Sequence, residues 1–174
     1  MGLFYATLLL DTFFVTALVT AAGLAVGLST PATTVSNMLT LTINPRFSDT
    51  DALGHINNTV VPVWFLEARE PILRIFQPDM DLRQGGLALV RTEIDYLAET
   101  RFGEPVQVTT EVQRIGNSSF VLAHTLHQMG RPTARGVATL VNFDPVARRA
   151  IPIPEAIRAQ LTSHLAAQAE GDQK

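Results

Sequence analysis

From Leu39 onward the apolar and polar positions fall into regular runs. Leu39-Thr-Leu-Thr-Ile43 alternates strictly, which predicts a half-buried strand. From Thr59 to about Phe76 the apolar positions Val60, Val63, Trp64, Ile72, Ile75 and Phe76 recur near helical spacing. Pro62 fits the first turn of a helix that starts at about Thr59. Pro71 should kink or end it, so residues 71–76 read as a possible separate turn. Four strand-like runs follow, at about 87–97, 106–115, 120–127 and 133–144. Gly103-Glu-Pro105, Gly116-Asn117 and Gly130-Arg-Pro132 punctuate them at hairpin spacing, so the sheet is expected to be largely antiparallel. Residues 154–167 predict a terminal helix with Pro154 near its start, and residues 169–174 a frayed tail. One long helix against one antiparallel sheet is an α+β plan. It leaves a sheet face or edge to be covered, which a second subunit could supply.

The first 37 residues do not share this pattern. Residues 13–28 carry no charge, and Arg46 is the first basic residue. Three readings stand for this stretch: an over-extended start with Met38 as the true first residue, a membrane anchor with Asp11 inside it, or a cleaved signal lacking the usual positive end. The expected organisation is therefore an apolar extension at 1–37, a domain at 38–168 and a tail at 169–174. The chain has 174 residues, 47% of them apolar, with 13 basic against 16 acidic residues. That balance provides no overall field for nucleic acid or an anionic membrane. There is no cysteine, which excludes disulfides, thiolate catalysis and Cys-ligated zinc. A cytoplasmic location is compatible, with attachment to a membrane through the apolar extension as the alternative.

The chemistry-bearing residues gather between Arg46 and Asn58, with Phe65-Leu-Glu-Ala-Arg69 on the following helix. By its position alone Asp51 is either a turn or capping residue, or a base set against a helix N-terminus. Asp49 reads better as a turn-former, and two acids are weak evidence for a metal site. Gly54 lets the backbone turn or approach a substrate closely. His55 suits either proton transfer or an orienting role. Asn57, Asn58 and Thr59 are candidate caps. Glu67 lies two turns into the helix and reads as a solvated or salt-bridged position. Trp64 and Phe65 read as core, and Ser118 belongs to a polar hairpin turn. His124 and His127 must face opposite sides of one strand, so they cannot form a metal pair there.

Asp51-Ala-Leu-Gly-His-Ile-Asn-Asn58, followed by Glu67-Ala-Arg69 on the helix, resembles the hot-dog-fold acyl-CoA thioesterases, in particular the 4-hydroxybenzoyl-CoA thioesterase-like branch. The resemblance runs from about Leu39 to Leu165. It implies a hot-dog fold, with an antiparallel sheet of about five strands wrapped around a long helix, and hydrolysis of an acyl-CoA to a free acid and CoA. Asp51 takes the place of the family's catalytic Asp, as general base or as nucleophile. His55 falls within the site, and the Asn58 backbone N–H becomes the oxyanion donor at the positive end of the helix. Gly54, Asn57, Glu67 and Ser118 become substrate-side candidates. Arg91, Arg101, Arg114, Arg148 and Arg149 could meet CoA phosphates. The family also implies a homodimer or homotetramer and needs neither metal nor organic cofactor. Two departures bear on the helix start: Val61 stands where a Tyr is frequent, and Pro62 follows it. Two other activities remain open, a non-catalytic acyl-CoA binder and a thioester hydratase or dehydratase.

Overall fold

A computed structural model of the protein describes residues 38–81 and 86–166. All of them fall within one compact unit, Thr34–Lys174. The three readings of residues 1–37 and the expected tail lie outside the described residues. No helix among the described residues is long and apolar enough to cross a membrane.

The chain runs β1 (Leu39–Ile43), α1 (Val60–Ala68), α2 (Glu70–Phe76), β2 (Gly86–Tyr96), β3 (Val106–Ile115), β4 (Ser119–Gln128), β5 (Arg131–Asp144), β6 (Arg149–Ala150) and α3 (Glu155–Thr162). The main path of the sheet is β1-β3-β4-β5-β2, antiparallel throughout, with β6 paired to the end of β5. The hot-dog expectation is borne out. β1 and β2 are the two edges of the path. β2 exposes Leu89, Val90 and Tyr96.

One face of α1 buries Val61, Trp64, Phe65 and Ala68 against Val106 and Val108 of β3, Leu126 of β4 and Ala134 of β5. These helix positions repeat at three and four residues, the spacing that keeps side chains on one face. A second cluster continues the core, with Ile72 of α2 and Leu161 of α3 against Val112, Phe120, Leu122, Ala138 and Leu140. The close approach of α1 depends on Gly136. A Cβ at that position would lie 2.5 Å from Phe65 Cε2 and 2.7 Å from Cδ2.

Several boundaries differ in detail from the sequence reading. The interruption expected at Pro71 is present but falls at Arg69, which divides the run over 59–76 into two helices. Pro71 has no N–H to continue the ladder and sits in the first turn of α2 instead. The turn before β5 is tighter than Gly130-Arg-Pro132 implied. Met129 (φ 51°) and Gly130 (φ 76°) form the turn alone, both left-handed as a two-residue hairpin requires, and β5 starts at Arg131. The short strand β6 was not foreseen, and α3 ends at Thr162 rather than near residue 167.

A polar group lies beneath the helices. Arg69 is 3% exposed and its Nε donates to His124 Nε2 at 3.0 Å. A guanidinium can only donate, so Nε2 is the acceptor and the ring proton sits on Nδ1, 2.9 Å from Thr110 Oγ1. Phe65 stacks on the same ring. Burial first, and then the Arg69 charge, push His124 down to about 3 from an ordinary 6.5. The unfolded chain therefore takes up a proton here more readily than the folded one. This contribution to stability is complete above pH 6.5 and is lost as pH falls from there toward 3. The urea midpoint is expected to drop between about pH 7 and pH 5, above the range where carboxylates titrate. His124→Gln should flatten that drop, and an equally steep drop in the variant would assign the slope to other groups.

Candidate active site

The segment between β1 and α1 is held by its own side chains. Asp49 is 3% exposed and closes a single 3-10 turn over Phe47–Asp49. Its carboxylate accepts the Arg46 N–H at 2.8 Å and pairs with the Arg46 guanidinium at 3.0 Å, which lowers its pKa. Its carbonyl accepts the Asn57 N–H at 2.8 Å. Asp49 is thus committed to the loop, as its reading as a turn-former anticipated.

Asp51 Oδ1 accepts the N–H of Leu53 at 2.8 Å and of His55 at 3.0 Å. The Asp51 N–H donates to the His55 carbonyl at 2.8 Å, closing the turn. Gly54 supplies the left-handed residue this turn needs, with φ 79°. One carboxylate oxygen is therefore anchored by backbone amides, and among the described residues Oδ2 has no hydrogen-bond donor. The His55 ring does not reach the Asp51 side chain. Its Nε2 lies 3.3 Å from Glu99 Oε2. Arg101 first, and then His55, hold the Glu99 carboxyl below the usual range.

The helix start follows directly. Asn57 Oδ1 accepts the Thr59 N–H at 2.9 Å, and the Asn57 carbonyl accepts the Val60 N–H at 2.9 Å. Asn57 thus closes a turn just ahead of Thr59, the residue at the N-cap of α1, whose own side chain makes no capping bond. The Asn58 N–H meets no acceptor among the described residues, while the Asn58 carbonyl accepts the Tyr96 hydroxyl at 2.6 Å. Ile56 N–H to the Thr100 carbonyl, 2.7 Å, ties the same segment to residues 96–101.

Asp51, His55 and Asn58 line one cleft of about 450 Å³ together with Ile56, Val61, Tyr96, Leu97 and Glu99. Glu67 does not. It lines a groove of about 720 Å³ on the other side of α1 with Ile43, Arg46 and Trp64. Ser118 sits beyond the Ile115 end of β3, whereas the cleft lies near the Val106 end, where Arg101 meets Gln128. About 30 Å of strand length separates them within one chain. None of the five arginines considered for phosphates lines the cleft, although Arg101 pairs at 2.8 Å with Glu99, which does. Among the described residues no three His, Asp or Glu side chains gather as a metal site.

Residues 45–161, about two-thirds of the chain, match the family model described as the thioesterase-like superfamily. The chain belongs to this superfamily. The protein is accordingly a thioester hydrolase of the hot-dog fold. It is 40% identical to a predicted thioesterase from Bacillus stearothermophilus, with a TM-score of 0.74 over 76% of this chain and 99% of that one. It is 31% identical to a Thermus thermophilus thioesterase complexed with coenzyme A and Zn, with a TM-score of 0.65 over 71% of this chain and 91% of that one. A 1,4-dihydroxy-2-naphthoyl-CoA hydrolase from Synechococcus is 28% identical over 124 residues, covering 67% of this chain and 95% of the relative.

The sequence reading missed Tyr96 and Glu99 as parts of this thioesterase's cleft. Local spacing carries no signal for either. Tyr96 reaches Asn58 across 38 positions of sequence, and the pairing of β2 with β5 sets its position at the sheet edge.

Proposed function

We propose that the protein is an acyl-CoA thioesterase that hydrolyses its substrate to a free acid and CoA. The observation that carries this reading is the Asp51 carboxylate and the Asn58 N–H, which has no acceptor among the described residues, lining one cleft at the start of α1. A thioester carbonyl bound there would direct its oxygen at the Asn58 amide, where the helix N-terminus adds a positive field. The free Asp51 oxygen would then activate water, or attack the carbonyl carbon itself. His55, held by Glu99, would help position the attacking group. Ile56, Val61 and Leu97 offer apolar surface to the acyl group. The named relatives support a CoA thioester as substrate. The working unit proposed is the domain at 38–168. It would act as a homo-oligomer, because β2 leaves one edge unpaired within the chain and exposes Leu89 and Val90.

The test is a panel of alkyl- and aryl-CoA thioesters read by release of free thiol, with crotonyl-CoA hydration measured in parallel. Thiol release from at least one member is expected, at kcat/KM of about 10⁴ M⁻¹s⁻¹ or more. Silence across the panel, or hydration of crotonyl-CoA without thiol release, would overturn the proposal.

A further inference from the structure

We infer that Tyr96 is a positioning residue for the oxyanion amide, its hydroxyl giving the Asn58 carbonyl the hydrogen bond that Pro62 cannot give. This rests on the reading of Asn58 N–H as the oxyanion donor. In an unbroken helix the carbonyl of residue 58 would accept the amide of residue 62, four positions on. Proline has no such amide, so the turn that would brace Asn58 from inside the helix cannot close. The helix accordingly begins at Val60, leaving Asn58 and Thr59 in a preceding turn. The Tyr96 hydroxyl occupies the orphaned carbonyl at 2.6 Å.

The Tyr96 side chain is half-exposed, but the backbone behind that hydroxyl belongs to the sheet. Tyr96 is the last residue of β2 and pairs with Ala134 of β5, which is 1% exposed. The Asn58–Thr59 peptide, joined to the Asn58 N–H through one Cα, is therefore braced by the sheet rather than by its own helix. Ile56 N–H to the Thr100 carbonyl fixes the segment two residues earlier to the same template. Partial burial raises the Tyr96 pKa, so the hydroxyl remains a donor across the neutral range. Tyr96, Asn58 and Asp51 all border the same cleft. A shift of the Asn58 N–H by a fraction of an ångström changes its aim at a developing oxyanion while leaving ground-state contacts nearly intact.

The experiment compares wild type with Tyr96→Phe, Pro62→Ala and the double variant, all in the full chain. Tyr96→Phe is expected to lower kcat by roughly tenfold or more with KM changed by less than about threefold. In the double variant the new amide at position 62 can reach the Asn58 carbonyl, so most of the lost kcat should return. A merely structural role for Tyr96 gives no such rescue by a change on the other side of the carbonyl. Amide exchange at Thr59 and Val60, followed by NMR without substrate, should accelerate in Tyr96→Phe and slow again in the double variant. That arm decides the tether even if the wild type releases no thiol, a result that would sink the proposed activity instead. Full kcat in Tyr96→Phe, a double variant no better than Tyr96→Phe, or unchanged exchange would each overturn the inference.

Discussion

Asp51→Asn is expected to lower kcat for thioester hydrolysis by roughly a hundredfold to ten-thousandfold, the usual worth of a positioned base. The affinity for an acyl-CoA, measured by calorimetry on the inactive variant, should change by less than about threefold. The geometry makes this substitution unusually clean. Asp51 has two roles, and they reside on different oxygens. Oδ1 accepts the amides of Leu53 and His55 and shapes the loop. An asparagine keeps that acceptor, so the turn, Gly54 and the path to Asn58 should survive. What it removes is the charge and the second oxygen, the parts that would activate water or attack the carbonyl. Asp51→Ala removes the acceptor as well, so it should cost stability in addition to activity. Full turnover in the Asn variant would remove Asp51 from the chemistry while leaving its loop role standing.

Gly136→Ala is expected to destabilise the fold by about 2–3 kcal/mol, at the upper end for overpacking. The added Cβ would meet Phe65 at 2.5 Å, and Phe65 is fully buried, stacked on His124 with nowhere to turn. Either the ring leaves its rotamer or α1 lifts from the sheet. Lifting α1 would also move Asn58, so activity should fall with stability even though Gly136 lies on β5, away from the cleft. Thermal unfolding should show a Tm lower by roughly 4 °C per kcal/mol for a domain of this size. Phe65→Leu placed on the Gly136→Ala background should recover part of the loss, because the smaller side chain clears the new methyl. A Gly136→Ala protein with unchanged Tm would mean that the helix packs less closely than the distances indicate.

Much of this architecture was legible in the residues, for definite reasons. β1 and β3 alternate cleanly because each has one face on the core, so their limits could be read directly. Pro71 announced an interruption of the helix, since a missing amide acts locally. The cluster from Asp51 to Asn58 was visible as a candidate site because its geometry is made by neighbours: Asp51 bonds residues two and four positions away, and Asn57 accepts the amides of residues two and three positions on. Glu67 and Ser118 fared differently. Resemblance brought them to the substrate, but within the chain the first faces another groove and the second lies at the far end of a hairpin.

Interactions that act over a few residues could be inferred from order and spacing: the strands, the helix interruption and the turn-forming character of the segment from Asp49 to Thr59, while the family was recognised by resemblance of the motif. What required the folded molecule was everything that depends on which strand lies beside which. The β2–β5 register carries Tyr96 to the Asn58 carbonyl, a bridge between His55 and Arg101 sets Glu99 beside His55, and Gly136 makes room for Phe65. These partners stand about 40 to 70 positions apart in sequence. No local periodicity encodes such distances, because strand pairing is selected by the burial of a whole face at once. Pro62 illustrates the division. From sequence it was a first-turn proline that departed from the family pattern, and in the fold it is half of the proposed arrangement whose other half is a tyrosine on the sheet edge.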